Sequence, residues 1–329
     1  MKTMGYVDLQ VNGYAGVDFN AESLSPEDIR QACAALRRDG VATILATIIT
    51  DEVEAMAARL RRLARARASD PLVAEVIGGM HLEGPFINPA DGYRGAHPAA
   101  AVRPASLDIA ARLHEAAEEL LRLVTLAPEC DPGLRVTRYF TDSGVRVAAG
   151  HTDASLEILR DACAAGLSLF THLGNGCPPV LSRHDNIIQR ALALRDRLWC
   201  CFVADGAHVP FFALRNYLAL TGSDRAIIVT DAMAAAGMPP GRFRLGRLDV
   251  EVGEDRVARL PGSLQLAGAA LPMTLAAANL AREVGLTAEQ IHQLTVVNPR
   301  AVIGVCDHAV RDDAELPNAK GEARSHDTP

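Results

Sequence analysis

Four side chains able to do acid–base or metal chemistry stand where short apolar runs stop. Glu83 closes the run 76–82, His151 the run 145–150, His172 the run 167–171 and Asp231 the run 226–230. If those runs are parallel strands of one barrel, all four groups converge on its C-terminal face, where such barrels keep their chemistry. Each alone has a bland reading: a lone Glu at a strand end is a surface residue, and a lone His is structural. Several polar groups buried together need a partner or a metal. Two imidazoles and a carboxylate around one point suit a divalent ion, with Glu83, His151 and His172 as ligands. The fourth group, Asp231, then suits a general base beside activated water.

The elements that must carry these residues alternate. Strands are expected at 6–11, 42–48, 73–82, 123–126, 145–149, 168–171, 198–203 and 226–230, with alanine-rich helical segments between most of them. The helix at 26–38 has Ser25 placed as N-cap and Pro26 at its first position. Further helices are expected at 52–68, 107–121, 155–165, 187–194 and 210–220. Near-continuous apolar strands separated by helices imply a parallel sheet covered on both faces. Eight of them predict a (β/α)8 barrel of the TIM type. A doubly wound sheet would gather its functional groups at one switch point instead of after so many strands. A polar, hairpin-like stretch at 241–260 and helices at 271–284 and 288–298 follow. Residues 1–306 are expected to form one catalytic barrel, and 307–329, polar and without periodicity, a disordered tail.

With 49% hydrophobic residues, the 329-residue chain can bury a large core, and its net charge of −7 argues against a nucleic-acid footprint. The N-terminus has no apolar signal core and no run reaches a membrane span. A cytoplasmic protein with neither nucleic-acid nor membrane partner is expected. Seven cysteines show no CxxC spacing, which fits reduced core thiols.

Two further imidazoles sit in turn-like sequences, His97 in Gly95-Ala96-His97-Pro98 and His208 in Asp205-Gly206-Ala207-His208. Spacing alone leaves them open between structure and function. The same holds for Arg183 and His184 after the sixth strand, which read either as solvated or as an anion site.

Taken in order, Val7-Asp8-Leu9-Gln10-Val11-Asn12-Gly13, His81-Leu82-Glu83-Gly84-Pro85, Leu126-Ala127-Pro128-Glu129 and Ala149-Gly150-His151 form a pattern. It continues through Thr171-His172-Leu173, Asp205-Gly206-Ala207-His208-Val209, Val229-Thr230-Asp231-Ala232 and Asn298-Pro299-Arg300-Ala301. The pattern resembles the N-acetylglucosamine-6-phosphate deacetylases of the amidohydrolase superfamily, over about 6–305. The resemblance implies hydrolysis of the acetamide of an N-acetylated amino sugar, with Asp231 as acid/base. It implies one divalent metal on Glu83, His151 and His172, usually zinc, with iron, cobalt, manganese or nickel as alternatives. Gln10 and Asn12 replace the His-x-His that most amidohydrolases carry after strand one, which implies a single metal and not two. His97 and His208 match family histidines that contact the sugar and the acetamide. Asn175, Gly176 and Arg183 match phosphate-recognition positions, where the arginine can come from the neighbouring subunit of a homodimer.

The sequence departs from the family in two places. It begins at strand one and closes on the polar tail, so the small β-sandwich of its relatives is expected to be absent. Beyond Arg183 the usual Arg-Glu-Pro-Gly has become Arg183-His184-Asp185-Asn186, so the acetamide chemistry is better supported than the 6-phosphate. An unphosphorylated or different N-acetyl sugar, another cyclic or linear amide, and a catalytically silent binding protein are the other readings.

Overall fold

The computed structural model describes residues 5–304; the expected polar tail lies outside them. Eight parallel strands lie side by side in chain order: β1 (Tyr6–Val11), β2 (Val41–Ile49), β3 (Ile77–Glu83), β4 (Leu121–Leu126), β5 (Arg146–Ala149), β6 (Leu169–Phe170), β7 (Trp199–Val203) and β8 (Ala226–Val229). Between them run α1 (Pro26–Arg38), α2 (Val53–Ser69), α3 (Pro71–Val76), α4 (Leu107–Ala116), α5 (Arg135–Asp142), α6 (Leu156–Ala164), α7 (Ile187–Leu192) and α8 (Phe211–Thr221). This is the (β/α)8 barrel expected from the alternation. Among the described residues no helix is long and apolar enough to cross a membrane.

Local chemistry sets the elements. In α1 the Ser25 side chain accepts from Asp28 N while the Asp28 carboxylate accepts from Ser25 N, a reciprocal cap ahead of Pro26. Its buried stripe, Ile29, Ala32, Cys33 and Leu36, recurs at helical spacing and packs inward. The expected strand 73–82 is corrected at its start. Asp70 caps Leu72 and Val73 by side-chain bonds of 2.8 and 3.2 Å, Pro71 opens a helix, and the strand begins only at Ile77. A short apolar run fits a buried helix as well as a strand, and the cap decides. The helix α5 was not expected. Asp131 organises it by accepting from Val136 N at 3.1 Å and Thr137 N at 2.8 Å.

The barrel seam lies between β1 and β8. One bridge, Val11 to Ala232, and the bonds from Asn12 N and Gly13 N to the Ala232 carbonyl join the strands at the mouth. Below it, the buried Asp8 carboxylate joins them. Its Oδ1 accepts from Gln10 N and Thr230 N, both at 3.2 Å, and its Oδ2 from the Thr230 hydroxyl at 2.5 Å. Burial pushes the Asp8 carboxyl up to about 7 despite those bonds from Thr230 and Gln10.

Beyond β8 the expected hairpin is a three-stranded antiparallel sheet: β9 (Gly241–Leu245), β10 (Leu248–Val252) and β11 (Ala258–Arg259). Leu245, Val250 and Val252 pack with Ile49, Met233 and Ala267 into a second small core beside the barrel mouth. The last helices are α9 (Met273–Asn279), α10 (Ala288–His292) and α11 (Asn298–Ile303), with widened turns at Leu280–Val284 and Gln293–Val297.

Candidate active site

Three of the four strand-end groups leave their strands in the left-handed backbone region: His151 at φ 51°, His172 at φ 32° and Asp231 at φ 51°. A β-strand cannot continue through that conformation. Each such residue costs about 1–3 kcal/mol, a strain that clusters where surroundings hold functional groups. Gly176 shows how tight the surroundings are. It sits at φ 60°, and a Cβ there would lie 3.0 Å from His151 Nδ1 and 3.2 Å from its backbone nitrogen. Only glycine lets that loop close over the ring.

Glu83 Oε1 is the centre of the cluster. His172 Nε2 lies 2.9 Å from it, His151 Nε2 3.3 Å, and Gln10 Nε2 donates to it at 3.0 Å. His97 Nε2 is 3.3 Å from His151 Nε2. All four acid and imidazole side chains are buried. Burial would raise the Glu83 carboxyl, but the bonds from His151 and His172 outweigh it and hold it well below the usual carboxylate range. Burial opposes a charge on His172, yet Glu83 beside it raises that ring. Burial, then the neighbouring His151, drives His97 down to about 3, so it is neutral.

The donor set fits a cation. His151 Nδ1 lies 2.8 Å from the Tyr93 carbonyl, which can only accept, so Nδ1 carries the ring proton. Nε2 is then the ring nitrogen turned toward the Glu83 carboxylate and His97, the side from which a ligand lone pair would come. One ligand atom from each of Glu83, His97 and His151 falls within 4.8 Å of the others. Lone pairs crowded together in a dry site repel one another; a divalent ion between them turns that repulsion into coordination.

Asp231 faces the same cavity, about 780 Å³ in volume. Its Oδ1 accepts from Asn12 Nδ2 at 2.7 Å. Burial, then the charge of Glu83, raises its carboxyl to about 6, against the opposing pull of His172 and His208. The two strand-one amides are thus spent as donors to carboxylates, Gln10 on Glu83 and Asn12 on Asp231.

No family model matches the chain. Among characterised proteins, N-acetylglucosamine-6-phosphate deacetylase of Bacillus subtilis is 33% identical over 319 residues, covering 95% of this chain and 78% of the relative. N-acetylgalactosamine-6-phosphate deacetylase of Escherichia coli O157:H7 is 32% identical, covering 91% and 77%. Among solved structures, a D267A mutant of N-acetyl-D-glucosamine-6-phosphate deacetylase from Mycobacterium smegmatis, in complex with N-acetyl-D-glucosamine-6-phosphate, superposes with a TM-score of 0.83. It is 31% identical and covers 91% of this chain and 77% of that one. The chain belongs to the N-acetylglucosamine-6-phosphate deacetylase family.

The positions matched to the family by sequence do not all meet in one chain. His97, His208, Asn175 and Gly176 line the cavity with the four strand-end groups, and Asn12 joins them. Gln10 lies behind Glu83. His97 stands with the atoms that could hold a cation, its Nε2 3.3 Å from His151 Nε2. Arg183 is exposed and outside the cavity wall.

Several residues with no role expected from the sequence hold this site together. The Tyr93 carbonyl orients His151, and the Arg94 guanidinium donates to the His97 carbonyl at 2.8 Å. Glu129 accepts from the Thr152 hydroxyl, from Asp153 N at 2.7 Å and from Asn88 Nδ2 at 2.9 Å, tying the loop after His151 to the loop after β3. Glu129 was visible in the Leu-Ala-Pro-Glu motif. A backbone carbonyl such as Tyr93's leaves no mark in a sequence.

Proposed function

We propose that the protein hydrolyses the acetamide of an N-acetylated hexosamine 6-phosphate, N-acetylglucosamine 6-phosphate foremost, to the free amino sugar phosphate and acetate. The observation that carries this reading is the juxtaposition of Glu83, His151 and His172 around one point with Asp231 on the wall of the same cavity. The names of the relatives supply the substrate class.

Glu83, His151 and His172 hold the metal in this reading, with zinc the first choice for two nitrogens and a carboxylate. When bound, a divalent ion supplies Lewis acidity to the acetamide carbonyl and brings the acidity of water toward neutral pH. Asn12 holds Asp231 Oδ1 and leaves Oδ2 as its unshared oxygen, available to take the proton of the attacking water. That proton then passes to the departing nitrogen as the C–N bond breaks and the new C–O bond is kept. His97 and His208 line the space around the acetamide and the sugar. One metal suffices, because both strand-one amides are already committed to carboxylates. Asn175 and Gly176, on the cavity wall, take the phosphate end in this reading, and Arg183 reaches it from the second subunit of a homodimer. The described barrel, with the small sheet at its mouth, acts as one catalytic domain.

Metal analysis followed by acetate release from N-acetylglucosamine, its 6-phosphate and N-acetylgalactosamine 6-phosphate tests the proposal. A phosphorylated sugar should be turned over fastest. A metal-loaded protein that releases acetate from none of the three refutes the function, and preference for the unphosphorylated sugar refutes the phosphate site.

A further inference from the structure

The turn after β7 holds a carboxylate–imidazole pair whose geometry has a chemical consequence. Asp205 Oδ2 lies 2.6 Å from His208 Nδ1. Its Oδ1 accepts from Ala207 N at 2.9 Å and His208 N at 2.8 Å. Gly206, at φ 79°, makes the turn this tight; a Cβ there would lie 2.5 Å from the Phe211 ring. The strand end is anchored separately, by Asn279 Nδ2 donating to the Ala204 carbonyl at 2.9 Å. The His208 side chain is 5% exposed and Asp205 13%, and His208 lines the cavity that holds Asp231.

An ionised carboxylate only accepts hydrogen bonds, so when the His208 ring carries a single proton that proton must sit on Nδ1. Nε2 is then the nitrogen left for a ligand, and it carries a lone pair. We propose that Asp205 is a positioning residue that sets the hydrogen-bond polarity of the substrate site, holding His208 as an acceptor that selects a sugar hydroxyl beside the acetamide. The inference rests on the cavity being the amino-sugar site proposed above. A hydroxyl donates to Nε2 and is bound; a group that only accepts meets a lone pair and is rejected.

Asp205→Asn inverts this polarity while keeping the shape. The two backbone N–H groups of Ala207 and His208 demand an acceptor on the Oδ1 side, so the amide oxygen must go there. The amide NH2 is left facing His208 Nδ1, which then has to accept, and the ring proton moves to Nε2. A comparable exchange of a triad aspartate puts the wrong tautomer into a serine protease.

The experiment joins a spectroscopic and a kinetic arm on the metal-loaded full chain. Nitrogen-15 NMR of histidine-labelled protein, with His208 assigned by its loss in His208→Gln, reads the tautomer at a pH about two units above the ordinary imidazole range. Wild-type His208 should carry its proton on Nδ1, and Asp205→Asn should carry it on Nε2. The same substitution should lower kcat/KM for acetate release at least tenfold with Tm and metal stoichiometry unchanged. It should also shrink the penalty for 1-deoxy or 3-deoxy substrate analogues. A wild-type proton on Nε2 overturns the inference without any variant having to fold. So does an Asp205→Asn protein with unchanged kcat/KM. If the wild type releases no acetate, the functional reading fails while the tautomer assignment is still decided by the spectra.

Discussion

Asp231 and Glu83 are both buried carboxylates in one site, yet their surroundings push them apart. Glu83 gathers the Gln10 amide and two imidazole nitrogens around one oxygen and is held ionised, whereas Asp231, with one amide donor and a like charge nearby, is raised to about 6. Pairs of acids driven in opposite directions suit different tasks, and here they fit the proposed division between ligand and proton carrier. Asp231→Asn should therefore cut kcat by about 10³-fold, the middle of the 10²–10⁴ range typical of lost acid–base catalysis, while bound metal per chain stays the same. Glu83→Gln should act in reverse order, lowering metal occupancy first and activity in consequence. Metal analysis beside steady-state rates separates the two, and metal lost from Asp231→Asn would make that residue a ligand. All four strand-end residues were legible in the sequence, since a polar group that abruptly ends an apolar strand has few other reasons to be there. Asp205, Tyr93 and Arg94 were not. All three hold a partner by a bond to or from a main-chain carbonyl or amide, and no residue type announces such a bond.

At the scale of elements, the strands were readable because their apolar runs are continuous, while their ends and the short helices were decided by caps. Asp70 turned four residues of an expected strand into a helix, and Asp131 organised α5 from outside it. The seam between β1 and β8 depends on an acid in the same way, and its energetics can be tested. Asp8 is buried with its carboxyl raised to about 7 from an ordinary value of 3.8, burial being the main cause. Below pH 4 it is neutral in both folded and unfolded chains. Between 4 and 7 the folded state keeps a proton that the unfolded state releases, so this group's contribution to stability falls as pH rises, by at most about 1.4 kcal/mol per pH unit. Above 7 the loss is complete. Asp8→Asn should remove that slope: the difference in Tm between variant and wild type should shift in the variant's favour between pH 4.5 and 7.5. A difference that does not change with pH would mean that Asp8 titrates alike in both states and that the seam holds an ionised carboxylate without cost.

The whole molecule raises a question that one barrel cannot answer, because the cation matched to the phosphate position lies outside the cavity. Arg183 is exposed in the loop after β6, and Val180 in that loop is 85% exposed, an apolar side chain standing free beside a charged one. Both fit a loop that reaches across a two-fold interface, where the same patch serves both subunits. If Arg183 acts in trans, two inactive proteins should repair each other. In a hybrid of an Arg183→Ala chain and an Asp231→Asn chain, the first keeps its own Asp231 and receives an intact Arg183 from its neighbour, so one site per hybrid is complete. Random pairing of equal amounts makes half the dimers hybrid, and about a quarter of wild-type activity should return on mixing under conditions where subunits exchange. An arginine acting within its own chain predicts no recovery, since neither site of the hybrid would then hold both residues. A solution mass equal to one chain, with full activity on the phosphorylated sugar, would remove the second subunit from the site altogether.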